Sequence, residues 1–206
     1  GAFAPNAIAE WRRDWSAFRA VVVGPGMTAG DGMEQVLADV LGHAAGPVVV
    51  DADGLNVLAR HPDLASAAKA GCLLTPHPGE MARLLETTID DVQARRFECA
   101  EAASSRWKAS VVLKGAGTIV ASPGKINAVN LTGNPGMARG GMGDALAGLL
   151  GGLVAQGMNT HDAACLAVYL HGRAGDRVAW SSSQAGMNTS DVIEAFAATF
   201  AELSPR

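Results

Sequence analysis

Little in this sequence is available for disulfide staples, base stacking or membrane insertion. Its 3 cysteines, Cys72, Cys99 and Cys165, lie far apart with no C-x-x-C pair, so neither a disulfide framework nor a zinc site has support. They read as small buried hydrophobes of a reduced, cytoplasmic protein. Aromatic residues make up 5% of the chain and charged residues 17%, and the formal net charge of -4 argues against a nucleic-acid surface. The longest apolar stretch, 145–155, is about half of the ~20 residues that cross a bilayer and is broken by Gly148, Gly151 and Gly152, so no membrane span is expected. Also missing are a charged-then-apolar leader and an initiator methionine; the chain begins GAFAPNA, as expected of a processed chain or a fragment. No repeat, low-complexity tract or interdomain linker divides the 206 residues, which are enough for one domain with a real core.

What remains is hydrophobic (49%) and rich in glycine (25 residues), a balance typical of compact α/β enzymes. Four short apolar runs stand out: Ala20 to Val23, Val48 to Val50, Cys72 to Leu74 and Val111 to Leu113. Continuous apolarity without alternation is how a strand buried on both faces reads. Between them Met33, Val36, Leu37, Val40 and Leu41 keep a helical period, and Glu98 to Trp107 reads as the end of another helix. Strands alternating with helices imply βαβ units and a mostly parallel sheet with helices on both faces. Thr118 to Ala121, a Ser122-Pro123-Gly124-Lys125 turn and Ile126 to Asn130 predict a hairpin at one edge. From Asp144 onward the chain is largely helical. Leu146, Leu149, Leu150, Leu153 and Val154 form one apolar stripe, and Ala145, Gly148, Gly152 and Ala155 form a small-residue face suited to close packing. Gly157 is a natural stop, and further helices are expected over 162–180 and, capped by Ser190 or Asp191, over 192–203.

In an open α/β sheet, ligands bind at the carboxyl ends of the strands. Four stretches follow the apolar runs there: Gly24-Pro25-Gly26, Asp51-Ala52-Asp53-Gly54-Leu55-Asn56, Thr75-Pro76-His77-Pro78-Gly79-Glu80, and Lys114-Gly115-Ala116-Gly117-Thr118. Each alone is equally a plain strand-to-helix turn. Together they converge on one edge. The sharpest segment is GNPGMARGGMGD, 133–144, where Gly140, Gly141 and Gly143 let backbone N–H groups share a hollow before a helix N-terminus. It is not a Walker A loop, because no Lys and Ser/Thr follow the last glycine. Asp144 at that mouth would repel a phosphate, so it either caps the helix or takes a proton from a hydroxyl that attacks the phosphate. Lys114 could meet phosphates or ribose, or be a solvated strand end, and His77, presented rigidly between two prolines, could meet a ligand or be structural. Asp51 and Asp53 could bind a hydrated Mg2+ or a ligand hydroxyl, or serve their own turn. His171 and the Trp11/Trp15 pair are assigned to packing.

VVVDADGLNVLA, LLTPHPGEMARLL, VVLKGAGTIVAS and NLTGNPGMARGGMGDALAGLLGGLVAQG, in that order, closely resemble the ADP/ATP-dependent NAD(P)H-hydrate dehydratases of the ribokinase-like fold. The resemblance runs from about Val21 to Asp191. It implies a three-layer α/β domain over 1–206, with a mostly parallel central sheet, helices on both faces and an edge hairpin. It also implies repair of damaged cofactor: ADP- or ATP-dependent dehydration of the S form of hydrated NADH or NADPH. On the family's pattern, Gly26, His77 and Asp144 would contact the hydrated dinucleotide, with Asp144 as the catalytic base. Lys114, Gly115, Ala116, Gly117, Thr118 and Gly143 would hold the adenine nucleotide, with the Gly140 and Gly141 amides completing the phosphate cradle. Asp51 and Asn56 would support the site from behind. Mg2+ is expected with the nucleotide, although no all-protein metal cage is visible. The resemblance further implies a homo-oligomer and a fused or associated NAD(P)H-hydrate epimerase.

The chain departs from the pattern in two ways. Arg139 stands where family members usually show Thr, and Met142 where they show Ser or Thr; Arg139 would add a cation near the phosphates and Met142 removes a hydroxyl donor. The strand-helix-strand stretch that relatives carry upstream of Gly24 is not found, so the domain is expected to be N-terminally incomplete. Two other readings stay open: a ribokinase-like kinase of a small hydroxylated metabolite, and a nucleotide-binding remnant without catalysis.

Overall fold

The computed structural model describes residues 14–28, 30–68 and 71–203. Six strands form one sheet in the order β1 (Val21–Val23), β2 (Val48–Val50), β3 (Cys72–Leu74), β4 (Ser110–Leu113), β5 (Ile119–Ala121) and β6 (Ala128–Val129). The first three pairings are parallel and the last two antiparallel, so the expected mixed sheet with an edge hairpin is present. The hairpin is shorter than its sequence pattern: β6 keeps two residues, and Ile126 lies almost fully in solvent.

Alternation within the short strands decides which helix meets which face. Val48, Val50, Cys72, Leu74, Val111 and Leu113 point to a layer built of α1 (Asp31–His43), α2 (Asp53–Arg60), α3 (Pro78–Leu85), α4 (Ile89–Ala94) and α5 (Arg96–Trp107). Val49, Leu73, Val112 and Val120 point the other way, against α6 (Met142–Ala155) and α7 (Thr160–Ser181). The α1 residues that keep the helical period, from Met33 to Leu41, are all buried in the first layer. A third cluster joins Met142, Ala174, Val178, Met187 and Val192, where α8 (Thr189–Leu203) closes over the ends of α6 and α7.

Several expectations need correction. β1 is not buried on both faces: Val22 is 39% exposed, because among the described residues β1 pairs with β2 alone and α6 covers it only in part. That cover requires a glycine, since a Cβ at Gly151 would lie 2.4 Å from Val22 Cγ2. The small-residue face of α6 is not a packing face within the described residues. Gly148 and Gly152 have open space where a Cβ would stand, and they line a groove shared with α8. The start of α8 is capped by Asn188, whose Oδ1 accepts from the Asp191 amide, and not by Ser190 or Asp191. Glu98 to Trp107 is the end of a helix as expected, with α5 beginning at Arg96, and α7 begins at Thr160, two residues before the expected start near Asp162.

Trp15 sits in a 3-10 turn, Trp15–Ala17, with its indole N–H donating to Asp39; Trp11 lies outside the described residues. The cysteines are unpaired. Burial pushes the Cys72 thiol up to about 12, so it packs as a hydrophobe, whereas Cys165 is half-buried beside His161. Among the described residues no helix is long and apolar enough to cross a membrane.

His171 behaves as expected of a packed ring. It stacks at a tilt on Phe196, its Nε2 has no hydrogen-bond partner among the described residues, and desolvation pulls its pKa down to about 4 against a hydrogen bond that the ring donates to the Met142 backbone, which acts the other way. A depressed histidine pKa means that the unfolded chain binds the extra proton first. Its contribution is therefore complete above about pH 6.5 and is lost as pH falls toward 4. Urea unfolding at pH 7 and pH 5 should show the wild type losing about 2 kcal/mol more than His171→Leu over that interval; equal losses would contradict the account.

Candidate active site

Because β1 to β4 run parallel, their carboxyl ends emerge along one edge, and backbone bonds continue the ladder into the loops. Asp51 N donates to Val23 O, Thr75 N to Val50 O, and Lys114 N to Pro76 O. The ends of β1 and β2 touch at Gly24, where φ is +121° and an added Cβ would lie 1.8 Å from Asp51 O; only glycine fits. Directly after Asp51, Ala52 adopts φ 47° and ψ -119°, a strained conformation for a residue with a Cβ, and α2 starts at the next residue.

Lys114 and Asp51 form the centre of this edge. Asp51 is 1% exposed, and its Oδ1 accepts from Lys114 Nζ at 2.7 Å, while Glu80 Oε2 stands 3.7 Å from the same ammonium. Lys114 is thus no solvated strand end. The first turn of α6 lies against the pair, for a Cβ at Gly143 would come 3.3 Å from Lys114 Nζ and 3.7 Å from Asp51 Oδ2.

Glu80 is a residue that sequence reasoning did not single out. Its Oε2 accepts from His77 N at 2.7 Å, while His77 Nδ1 accepts from the amides of Gly79 and Glu80, a capping box at the head of α3. The signal was present as His-x-x-Glu, a capping-box spacing with an unusual cap residue. Because Nδ1 accepts, the proton of the neutral ring belongs on Nε2, which lies 3.4 Å from Glu80 Oε1. His77 is therefore oriented on both ring nitrogens and still half-exposed.

The supporting residues are tied in similar ways. Asn56 accepts from Arg83 Nη1 at 3.1 Å and so joins α2 to α3. Asp53 accepts from Thr28 N at 3.0 Å and braces the loop after β1. That loop turns at Gly24-Pro25-Gly26-Met27, closed by Met27 N to Gly24 O, with proline second and a positive-φ glycine third as in a type II turn. Nothing stands within 4 Å of where a Gly26 Cβ would lie. Gly115 and Gly117 give the 114–118 loop two positive-φ positions, and Thr118 Oγ1 donates to Gly115 O at 2.8 Å.

The glycine turn before α6 is held from the far side. Asp176 of α7, also missed in the sequence, accepts from Gly133 N and from Asn134 Nδ2, each at 3.0 Å. Nothing local marks it, because it lies 42 residues along the chain from Asn134. Thr189 Oγ1 donates to Gly140 O at 2.9 Å. Met142 is buried in the third core cluster, so the side chain at this position packs and does not face the hollow. Arg139 donates to Ala185 O and is directed at the α7–α8 connection.

Asp144 does not cap the helix. The cap position belongs to Gly141, at φ 84°, with no side-chain bond, and α6 begins at Met142. Asp144 is exposed in the first turn, and its side chain makes no hydrogen bond or ion pair with another described residue. From Gly141 and Asp144 a groove of about 630 Å3 runs along Gly148 and Gly152 to Ile193 and Phe200. The edge therefore brings Gly26, Asp51, Asn56, His77, the 114–118 loop and the 140–144 turn to one side of the sheet, with Lys114 and Gly143 in direct approach.

A family model described as NAD(P)H-hydrate dehydratase matches residues 3–197. The chain belongs to the NAD(P)H-hydrate dehydratase family. It is 42% identical, over 89% of its length, to the ADP-dependent (S)-NAD(P)H-hydrate dehydratase of Neisseria meningitidis, of which it spans 62%. Against a bifunctional NAD(P)H-hydrate repair enzyme of Moorella thermoacetica it is 39% identical over 94% of its length and spans 37% of that protein. A Bacillus subtilis ADP/ATP-dependent NAD(P)H-hydrate dehydratase, co-crystallized with ATP/Mg2+, superposes with a TM-score of 0.81 at 28% identity, covering 90% of this chain and 65% of that one. The ribokinase-like architecture is shared more widely, with a TM-score of 0.82 at 23% identity.

The dehydratase-family edge rests on one ammonium between two buried carboxylates, and that arrangement is testable. Lys114→Met leaves Asp51 facing Glu80 with no cation and should cost about 3–5 kcal/mol in urea unfolding; Asp51→Asn, which leaves Lys114 paired with Glu80, should cost less. The reverse order would refute the assignment of Lys114 as the shared partner.

Proposed function

We propose that this chain carries an ADP- or ATP-dependent (S)-NAD(P)H-hydrate dehydratase site, a hydro-lyase that returns hydrated NADH or NADPH to the reduced cofactor. Family membership supports the reaction class. The observation that carries the mechanism is Asp144: an exposed carboxylate without a partner among the described residues, in the first turn of α6, next to a glycine turn and doing no capping. An acid beside a phosphate hollow serves no purpose in holding phosphate; it does serve as a base toward the phosphoryl acceptor.

In this reading the amides of Gly140, Gly141 and Gly143, the positive end of α6 and Lys114 hold the terminal phosphates of the adenine nucleotide. The loop from Gly115 to Thr118 holds the rest of it. Gly26 and the oriented His77 ring, with Asp144, meet the hydrated nicotinamide ring. Asp51 and Asn56 act through Lys114 and Arg83, fixing α2, α3 and β4 against one another.

Asp144 takes the proton of the ring hydroxyl, whose oxygen attacks the terminal phosphorus. The bond from that phosphorus to the departing nucleotide breaks, and AMP leaves when the nucleotide is ADP. The ring nitrogen then pushes out phosphate, a far better leaving group than hydroxide, and loss of a proton from the adjacent ring carbon restores the double bond. Among the described residues no three His, Cys, Asp or Glu side chains converge as a metal cage, and Asp51 and Glu80 already share Lys114. Mg2+ fits here as an ion carried by the phosphates and water, where it would neutralise phosphate charge.

The chain spans less than two thirds of the dehydratase relative, so activity is measured in the full-length protein. Hydrated NADH with ADP or ATP should regain the absorbance of the reduced nicotinamide, and Asp144→Asn should slow this by about a hundred- to ten-thousand-fold with nucleotide binding retained. A stable phosphorylated product would favour a kinase instead, and nucleotide binding without turnover a non-catalytic role. An unaffected Asp144→Asn rate would rule out the base. The same reading implies cooperation with an epimerase that supplies the S form, and assembly as a homo-oligomer.

A further inference from the structure

Arg96 has no part in the mechanism above, yet its guanidinium lies under the loop assigned to the nucleotide. Nη2 donates to Leu113 O at 3.2 Å, Lys114 O at 3.3 Å and Gly117 O at 3.4 Å, and Nη1 donates to Gln93 Oε1 at 3.0 Å. The residue opens α5 directly after the break at Arg95, where φ is -133°, so the interruption between α4 and α5 is what aims it at the loop. Gly115 closes the fit from the other side: its φ is +126° and a Cβ there would stand 3.4 Å from Arg96 Nη1.

The consequence follows from peptide geometry. In a trans peptide the C=O and the following N–H point in opposite directions, and no cis bond occurs among the described residues. With the carbonyls of Lys114 and Gly117 drawn to Arg96, the N–H groups of Gly115 and Thr118 face away from it. Thr118 Oγ1 engages the Gly115 carbonyl in turn, which directs the Ala116 N–H. Gly115, Ala116 and Gly117 are exposed, so the loop offers donors outward on a backbone whose acceptors are drawn inward. Bonds from a charged guanidinium are about twice as strong as neutral ones, and with Nη1 tied to Gln93 the planar group presents Nη2 to the loop carbonyls in a fixed orientation, which a lysine ammonium lacks.

We propose that Arg96 is a positioning residue for the adenine nucleotide: it does not touch the ligand but holds the 114–118 loop, and with it the base of Lys114, in the shape that binds it. This rests on the nucleotide reading of the site given above. The Leu113 carbonyl stays fixed by the Lys114 amide bond to Pro76, but without the guanidinium the carbonyls of Lys114 and Gly117 lose their partner, and the loop must be ordered at the moment of binding, which weakens affinity and leaves the chemical step intact.

The test is calorimetric titration of ADP and ATP into the full-length wild type, Arg96→Lys and Arg96→Ala, with KM and kcat for nucleotide and for hydrate. Arg96→Ala should raise the nucleotide Kd and KM by about tenfold or more, leave the KM for hydrate unchanged and keep kcat within about threefold at saturating nucleotide. Arg96→Lys should fall between the two, and guanidinium ion at tens of millimolar should restore part of the affinity of Arg96→Ala. A folded Arg96→Ala with wild-type nucleotide affinity, or with equal losses in both KM values, overturns the proposal. If Arg96→Ala does not fold, Arg96→Lys decides, and wild-type affinity in it overturns the proposal just as directly. A wild type that binds neither nucleotide removes the reading of the whole site, whereas wild-type binding with unchanged variants removes only the role of Arg96.

Discussion

The Lys114 ammonium, held between Asp51 and Glu80, is the contact on which the rest of the site depends. It joins the end of β4 to the end of β2 and, through the head of α3, to the loop after β3. Its neighbours are all constrained by it. Asp51 is aimed by a strained Ala52, Glu80 is shared between the ammonium and the His77 amide, and position 143 has room for nothing larger than glycine without pressing on the pair. Two buried carboxylates without that cation would be costly, and a buried cation without them equally so. The arrangement thus sets the separation between the glycine turn of α6 and the carboxyl ends of the strands.

A second constraint is close approach of backbones. Gly24 lets β1 and β2 meet at Asp51 O, and Gly172 lets α7 lie against Thr132, where an added Cβ would stand 2.3 Å from Oγ1. Asp176 and Thr189 then fasten the two ends of the 133–140 segment. A glycine-rich turn of this kind is free in principle and costly to order. Here side chains from α7 and α8 hold the turn that leads into α6.

Legibility in the sequence followed the range of the interactions. Runs such as Val48–Val50 and Cys72–Leu74 read as buried strands, and are, because burial on both faces needs only apolar residues in succession. The α1 pattern read correctly because five apolar residues at helical spacing specify one face. The face of α6 bearing Gly148 and Gly152 misled, since small residues announce close packing but not the partner, and in the described residues none is present. Glu80 does not stand out within TPHPGE because its partners are a backbone amide three residues away and a lysine 34 positions along the chain. The cap of α8 slipped from Ser190 or Asp191 to Asn188, as local capping choices compete within a few tenths of a kcal/mol to about 1 kcal/mol.

By itself the sequence determined the order of strands and helices, the edge on which polar residues gather and the family to which the chain belongs. These depend on period, turn residues and short motifs, which are local properties of a chain. Only the tertiary structure decided that Lys114 is buried between two acids, that Asp144 is left without a capping task, that Met142 faces a core and Arg139 a distant loop, and that Arg96 turns the 114–118 carbonyls inward. Each of those outcomes joins groups dozens of residues apart or depends on which way a side chain leaves its helix. Spacing along the chain carries no record of either, because it is the packing of layers that selects among the orientations that local geometry allows.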